Sequence, residues 1–72
     1  MISLERHNPA RRMHRYYRLT VERNLFGEWS LVREWGRIGR PSRRMIDLHP
    51  TEQGAQAAME RKGQEKRRRG YR

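Results

Sequence analysis

The chain has 72 residues, which is enough for one small domain, and its lack of cysteine excludes disulfide staples and thiolate metal sites. No apolar run approaches the roughly 20 residues that span a bilayer, and no signal-peptide pattern is present, so we expect a cytoplasmic protein with no membrane partner. Eighteen Lys and Arg stand against eight Asp and Glu, for a formal net charge of +10. This excess predicts a polyanionic partner, most simply nucleic acid.

The first half of the chain predicts an arm followed by a β-hairpin. Residues 1–14 are basic and poor in apolar side chains, which predicts a flexible N-terminal arm. Residues 16–23 alternate apolar and polar strand formers, as a half-buried strand does. The turn formers of residues 24–27 predict a short connection to a second strand over residues 28–35, with Trp29 in the core.

Glycine and proline interrupt the strand pattern after this hairpin and predict an irregular loop. A third strand is predicted over residues 43–48, where Ile46 and Leu48 supply the apolar alternation. Thr51 is a suitable N-cap for a helix that runs toward Gly70. The helix has a small apolar face made of Ala55, Ala58 and Met59. This order of elements predicts a small antiparallel α+β domain.

The sequence carries no pattern that predicts catalysis or metal binding. The three histidines lack the i, i+3 or i, i+4 spacing of a helical metal site. The serines have no identifiable base, and Asp47 has no carboxylate neighbour along its predicted strand. A domain this small leaves little room for a desolvated pocket. We therefore predict a protein that is not an enzyme, with no catalytic residue, no cofactor and no metal.

The stretch EWGRIGR, residues 34–40, contains the tripeptide Trp35-Gly36-Arg37. At these residues the sequence resembles the WGR domain family, which is named for that tripeptide and occurs in poly(ADP-ribose) polymerases and as short bacterial proteins. The resemblance continues through YYRLTVE before the motif, RRMIDL and TEQGAQAAME after it, and the closing EKRRRGYR. We therefore expect a basic arm over residues 1–14 and a WGR-like domain over residues 15–72.

The resemblance implies a small twisted antiparallel sheet of three or more strands with one C-terminal helix packed on it. It also implies binding near DNA ends, with Trp35 stacking on the terminal nucleotide and Arg37 as the adjacent basic contact. The matching end of the chain adds Lys66 and Tyr71 to the expected site. A bacterial member would be nucleoid-associated. Family members have more apolar residues in the middle of the helix than this chain, where Gly63 and the lysine before it predict a weak contact with the sheet.

Strand periodicity and the family resemblance predict different orientations for Trp35. Alternation from Trp29 and Leu31 along the strand puts its ring on the core-facing side. The resemblance favours an exposed ring, with Gly36 and Gly39 forming a structural turn that aims the ring outward, as a bulge would. We take the exposed ring as the expectation.

Basic side chains around the motif complete the predicted nucleic-acid site. Arg40, Arg43 and Arg44 follow the motif and are expected to bind phosphates as a cluster, because the guanidinium fork suits phosphate geometry. The full predicted set is Trp35, Arg37, Arg40, Arg43, Arg44, Lys66 and Tyr71.

The leading hypothesis from the sequence is a non-enzymatic module that binds DNA ends, nicks or breaks without reading sequence, through phosphate contacts and tryptophan stacking. One alternative is a protein-interaction or regulatory accessory module, in which the same basic face meets an acidic protein partner. Another is RNA, since charge alone does not separate the two nucleic acids. The sequence leaves open the end structure, the partner protein, the pathway and the oligomeric state.

Overall fold

The computed structural model describes all 72 residues as one antiparallel sheet of four strands and one C-terminal α-helix. The strands lie side by side in chain order, and the sheet does not close. The predicted α+β class is therefore confirmed. The elements are β1 (Ile2–Asn8), a 3-10 turn (Pro9–Arg11), β2 (Met13–Arg23), β3 (Trp29–Arg37), β4 (Arg43–His49) and α1 (Glu52–Arg68).

The N-terminal residues form a strand where the sequence analysis expects a flexible basic arm. Strand β1 pairs with β2, with Ile2 opposite Leu19 and Leu4 opposite Tyr17. The Leu4 side chain is only 4% exposed and belongs to the core. The physical reason is a short alternation of apolar and polar residues at positions 2–5, which is enough for a strand once a neighbouring strand supplies hydrogen bonds and a buried face.

The predicted hairpin between β2 and β3 is confirmed, and its turn chemistry is explicit. The Asn24 side-chain oxygen accepts hydrogen bonds from the backbone N–H groups of Phe26 and Glu28, both at 2.9 Å. Gly27 has a φ of +79°, which glycine adopts without strain. The turn thus fixes the register that aligns β2 with β3.

Residues that face each other across antiparallel strands share one side of the sheet, so the register defines two faces. The helix face, on which α1 packs, carries the opposed pairs Tyr17–Trp35, Leu19–Arg33 and Val21–Leu31. The other side, the open face, has no helix on it. The core lies between α1 and the helix face and consists of Ile2, Leu4, Tyr17, Leu19, Leu31 and Met59.

Strand β4 presents its aliphatic side chains to the open face. Ile46 and Leu48 are 53% and 58% exposed, whereas Asp47 lies on the helix face opposite Leu31. Asp47 Oδ2 is 2.8 Å from Arg33 Nε. Burial alone would lower the pKa of Arg33, but hydrogen bonds to Tyr17 and Asp47 and the Asp47 charge outweigh burial and raise that pKa. A largely buried arginine thus receives its counterion from the strand beside it.

Trp29 is half-buried at the end of β3 rather than in the core, where the sequence analysis expects it. Its ring lies 6.0 Å from the guanidinium carbon of Arg23, its cross-strand partner. Trp29 lies on the helix face, as alternation predicts, but beyond the end of the apolar cluster. Alternation therefore predicts which face of the sheet a residue is on and not how far its side chain is buried.

Helix α1 begins and packs as predicted, except at Gly63. The Thr51 hydroxyl accepts a hydrogen bond from the Gly54 N–H at 3.0 Å and caps the helix. Gly63 is buried, and a Cβ there would lie 3.0 Å from Ile2 Cδ1. The glycine therefore lets the helix approach β1 closely, which is the opposite of the weak contact expected at this position. No helix in the structure has the length and apolar character needed to cross a bilayer.

The end of the chain returns to the first strand. Arg72 and Glu5 exchange two backbone hydrogen bonds, each 2.8 Å long. This pairing covers part of the free edge of β1 and fixes the position of Tyr71 beside the sheet.

Gly63→Ala should stabilise the domain more after Ile2 has been shortened. Alanine gains about 1 kcal/mol over glycine within a helix, but in the unaltered chain the new Cβ meets Ile2 Cδ1. Ile2→Val removes that atom. In urea unfolding, we expect Gly63→Ala to raise the free energy of unfolding by about 0.5–1 kcal/mol more in the Ile2→Val background than in the unaltered chain. Equal effects in the two backgrounds would show that the helix does not press on β1 here.

Candidate nucleic-acid interface

Three aromatic rings meet at the end of the helix face where β3 finishes. Tyr17 and Trp35 stack, with ring centroids 5.7 Å apart and planes inclined by 16°. Tyr71 meets Tyr17 edge-on, with a centroid separation of 6.2 Å. Lys66 Nζ lies 4.5 Å from the centre of the Tyr17 ring and 6.0 Å from that of Tyr71. Tyr17 is buried, so this cluster joins the core to the surface.

Trp35 reaches this cluster by regular strand geometry and not through a glycine-hinged turn. Strand β3 pairs with β2 without interruption from Trp29 to Arg37. Alternation therefore keeps Trp35 on the helix face, and the expectation that a bulge turns the ring outward is wrong. The ring is half-buried because it lies at the rim of the core, with Tyr17 on one side and a surface cavity beside it.

The cavity beside Trp35 has a volume of about 400 Å³ and is lined by arginines. Arg15 and Arg37 are opposed across β2 and β3, and Arg43 is opposed to Trp35 across β3 and β4. None of these three arginines takes part in a salt bridge, and no carboxylate lines the cavity. The lining is Arg15, Trp35, Gly36, Arg37, Arg43 and Tyr71. Its chemistry is that of an anion site with an aromatic wall.

Lys66 adds a fourth cation next to this cavity. Partial burial lowers its pKa, and the neighbouring positive charge of Arg69 lowers it further. The shift means that the folded protein holds this positive charge at a cost, which an added anion would relieve.

The predicted site residues divide between the two faces of the sheet. Trp35, Arg37, Arg43 and Tyr71 come together around the helix-face cavity, and Lys66 adjoins them. Arg44 does not join them, because it pairs across from Glu34 on the open face. Arg40 also lines a cavity on the open face. The expected cluster of Arg40, Arg43 and Arg44 is therefore split.

The two motif glycines shape the loop that follows the strand. A Cβ on Gly36 would lie 3.3 Å from Ser42 Cα and 3.4 Å from the Pro41 carbonyl oxygen. Gly36 thus admits the backbone of the returning loop against the open face. Gly39 has a φ of +82° and completes that loop. Gly36 is therefore a residue of strand β3 that the returning loop packs against, and only Gly39 lies in the turn itself. Neither glycine aims the indole ring.

Sequence reasoning missed Arg15 and the role of Tyr17. Arg15 continues the alternation of Tyr17 and Leu19, so its face could have been predicted by extending β2 backwards. The pairing of Arg15 with Arg37 could not be predicted, because it depends on the register of the hairpin.

The register also places His7 opposite His14, with Nδ1 atoms 2.8 Å apart, and His7 Nε2 lies 2.8 Å from Glu5 Oε1. No group of three or more His, Cys, Asp or Glu side chains is arranged to hold a metal ion.

The protein is thus a small basic domain with an open sheet backed by one helix and an arginine-lined aromatic cavity at one end. The chain belongs to the WGR domain family, whose family model matches residues 1–72. The resemblance seen in the sequence is thereby confirmed. The family consists of binding modules, and membership is consistent with nucleic-acid binding in general.

The chain is also similar to a bacterial protein. It is 42% identical over 69 residues to the uncharacterized protein y4dW of Sinorhizobium fredii (strain NBRC 101917 / NGR234). The match covers 96% of this chain and 34% of the relative, so the chain spans about a third of that protein's length. No solved structure matches the chain.

Lys66→Met should change how stability depends on pH. Because the folded state lowers the pKa of Lys66, the unfolded chain binds more protons between that lowered pKa and the ordinary lysine value of about 10.4. The cost of the charge is fully present at neutral pH and is lost as pH rises through this window. Urea unfolding should therefore show the unaltered chain gaining stability relative to Lys66→Met between neutral and alkaline pH. Parallel pH profiles would contradict this account.

Proposed function

We propose that this protein is a non-enzymatic module that binds DNA at ends, nicks or breaks without reading base sequence. The observation that carries the proposal is the helix-face cavity, where the half-exposed ring of Trp35 stands among three unpaired arginines. Arginine grips phosphate oxygens with two parallel N–H donors, and an indole ring presents a flat surface for a nucleotide. The two features together suit a terminal nucleotide and the phosphates next to it.

Phosphate neutralisation supplies most of the affinity in this proposal. The formal net charge of +10 attracts any polyanion over a distance, and the unpaired guanidinium groups provide short-range contacts. Contacts with phosphate carry no sequence information. The cavity has no amide side chain or carboxylate to read an adenine or cytosine edge. Binding that ignores base sequence follows from the proposed use of its arginines, which contact phosphates and not guanine edges.

The position of Trp35 favours DNA ends over continuous duplex. Tyr17 stacks on one side of the indole ring of Trp35, and the part of the ring that Tyr17 does not cover lines the cavity. Inside a continuous duplex every base is stacked on both sides, so no nucleotide surface is free to meet the ring. At an end or a break one terminal nucleotide is free on one side. The ring can therefore add stacking energy at a break that it cannot add elsewhere.

A protein partner is the second candidate function, and one observation favours it. Ile46 and Leu48 are exposed on the open face of β4, and β4 is an edge strand of the sheet. An exposed edge with apolar side chains is a surface to which another polypeptide can add a strand. Competition at matched salt separates the candidates: a protein partner confined to Ile46 and Leu48, on the face opposite Trp35, would leave DNA binding through the helix-face cavity unchanged.

Trp35→Leu should remove the preference for ends. Leucine keeps apolar contact with Tyr17 but offers no ring to a nucleotide, so affinity for a blunt duplex should fall about tenfold. Affinity for a closed circular duplex should change less than twofold. Fluorescence anisotropy with labelled duplex and competition with the circle measure both. Trp29→Leu is the matched control, because Trp29 lies on the same strand and face about 20 Å away. Equal losses on both DNAs with the fold intact would defeat the stacking role.

The slope of log K against log salt for duplex binding should reflect the number of phosphates that the four cations around the cavity neutralise. If Arg15, Arg37, Arg43 and Lys66 each neutralise one phosphate, log K should fall with log salt at a slope of about −3.6. Arg37→Gln should make the slope shallower by about 0.9. Arg44→Gln, which removes an equal charge from the open face, should leave the slope for a blunt duplex unchanged. If both substitutions alter the slope equally, the contacts are not confined to the helix face.

A further inference from the structure

The open face carries a second cavity on the other side of the motif. It has a volume of about 270 Å³ and lies between strands β1 and β2 and the loop after β3. Its walls include Ser3, Glu5, Tyr16, Arg18, Ile38 and Arg40. The two cavities are adjacent along the chain, because residues 35–37 line the first and residues 38–40 line the second.

The loop that closes this cavity is held in place by backbone contacts. The Ile38 N–H donates a hydrogen bond to the His14 carbonyl at 2.9 Å, which attaches the loop to the start of β2. The Arg40 N–H donates to the Arg37 carbonyl at 3.1 Å. The absence of a side chain on Gly36 lets Pro41 and Ser42 pack against the open face. The cavity is therefore a built feature of the motif and its loop.

The side chains of the cavity combine a stacking platform with a free cation. The Arg18 guanidinium carbon lies 5.1 Å from the centre of the Tyr16 ring, so the pair forms a cation–aromatic stack. Arg18 is held to Glu34 only at 3.5 Å, and Arg40 has no salt bridge. The one carboxylate in the wall belongs to Glu5, and its Oε1 atom is hydrogen-bonded to His7 Nε2 at 2.8 Å.

We propose that this cavity binds one nucleotide of a single-stranded extension of the DNA whose end lies against Trp35. Arg40 contacts the phosphate, and the base lies on the stack of Arg18 and Tyr16. The inference rests on the proposed function, because the first cavity supplies the DNA end. It extends that function by assigning the path of an unpaired strand from the helix face, around residues 36–40, to the open face.

The chemistry favours a single strand over a second duplex. Unpaired bases can leave their stack and lie on aromatic or guanidinium planes, whereas paired bases cannot. The cavity is also small, near the lower limit of ligand sites, which suits one nucleotide. The phosphate of that nucleotide meets the unpaired Arg40, and the base meets a platform already formed by Tyr16 and Arg18.

The test compares a blunt duplex with the same duplex carrying a three-nucleotide overhang. We expect the overhang to increase affinity about fivefold, and Arg40→Gln to abolish that increase while changing blunt-duplex affinity less than twofold. Arg61→Gln is the matched control, since it removes an equal charge from the exposed side of α1. The Arg61→Gln variant should still bind the overhang duplex about fivefold more tightly than the blunt duplex. An overhang without effect on the unaltered chain, or equal losses on both duplexes in Arg40→Gln, would overturn the inference.

A titration without duplex separates this inference from the proposed function. Addition of a thymidine trinucleotide to the labelled protein should shift the amide NMR signals of Tyr16 and of residues 38–40. Shifts confined to the surroundings of Trp35, or an absence of shifts at millimolar trinucleotide, would overturn the open-face site. Failure of the blunt duplex to bind, with these open-face shifts present, would defeat the proposed end-binding function alone.

Discussion

The packing of the Tyr17 ring is the interaction on which the rest of the structure depends. Tyr17 is buried in the core, and its ring stacks with Trp35, meets Tyr71 edge-on and lies under Lys66. Leu4 lies opposite Tyr17 on the other neighbouring strand. The same ring therefore holds the first strand, the motif strand and the end of the chain together. Because the buried Tyr17 ring packs against Trp35 and Tyr71, and both of these line the cavity, folding of the core also positions the aromatic wall of the cavity.

The three residues of the family motif lie on a regular strand, so they alternate between the two faces of the sheet. Trp35 and Arg37 point to the helix face, and Gly36 between them lies on the open face, where it admits the returning loop. A bulge that turned Trp35 outward would expose its indole ring fully, but the ring would then lose its stacking contact with Tyr17. The regular strand instead leaves the ring half-buried and stacked on Tyr17. A ring that is already positioned by such packing loses less conformational entropy when a nucleotide stacks on it.

The sequence predicts the hairpin, the last strand and the helix because each carries a local signal, such as the Asn24 turn or the Thr51 cap. It does not predict β1, because two apolar residues at the start of the chain are too few to distinguish a strand from an arm. The sequence does not predict the close approach at Gly63 for the same reason, because the residue it approaches, Ile2, lies on β1. The predicted site residues that lie in or near the motif along the chain, Trp35, Arg37 and Arg43, are brought together at one cavity. The contact between Arg15 and Arg37 depends on register, which the sequence does not reveal.

The arginines of this domain differ in whether the fold supplies them with a carboxylate counterion, and this difference bears on function. Arg33, which is largely buried, has Asp47 within 2.8 Å. Arg15, Arg37 and Arg43 share one cavity without a carboxylate among them, and Lys66 beside them has a lowered pKa. Cations placed together without a counterion repel each other and lower the stability of a small fold. The chain supplies a counterion within the fold at Arg33 and none at the cavity. The proposed function would supply these counterions from outside the domain, because a chain of phosphates carries several negative charges in a row.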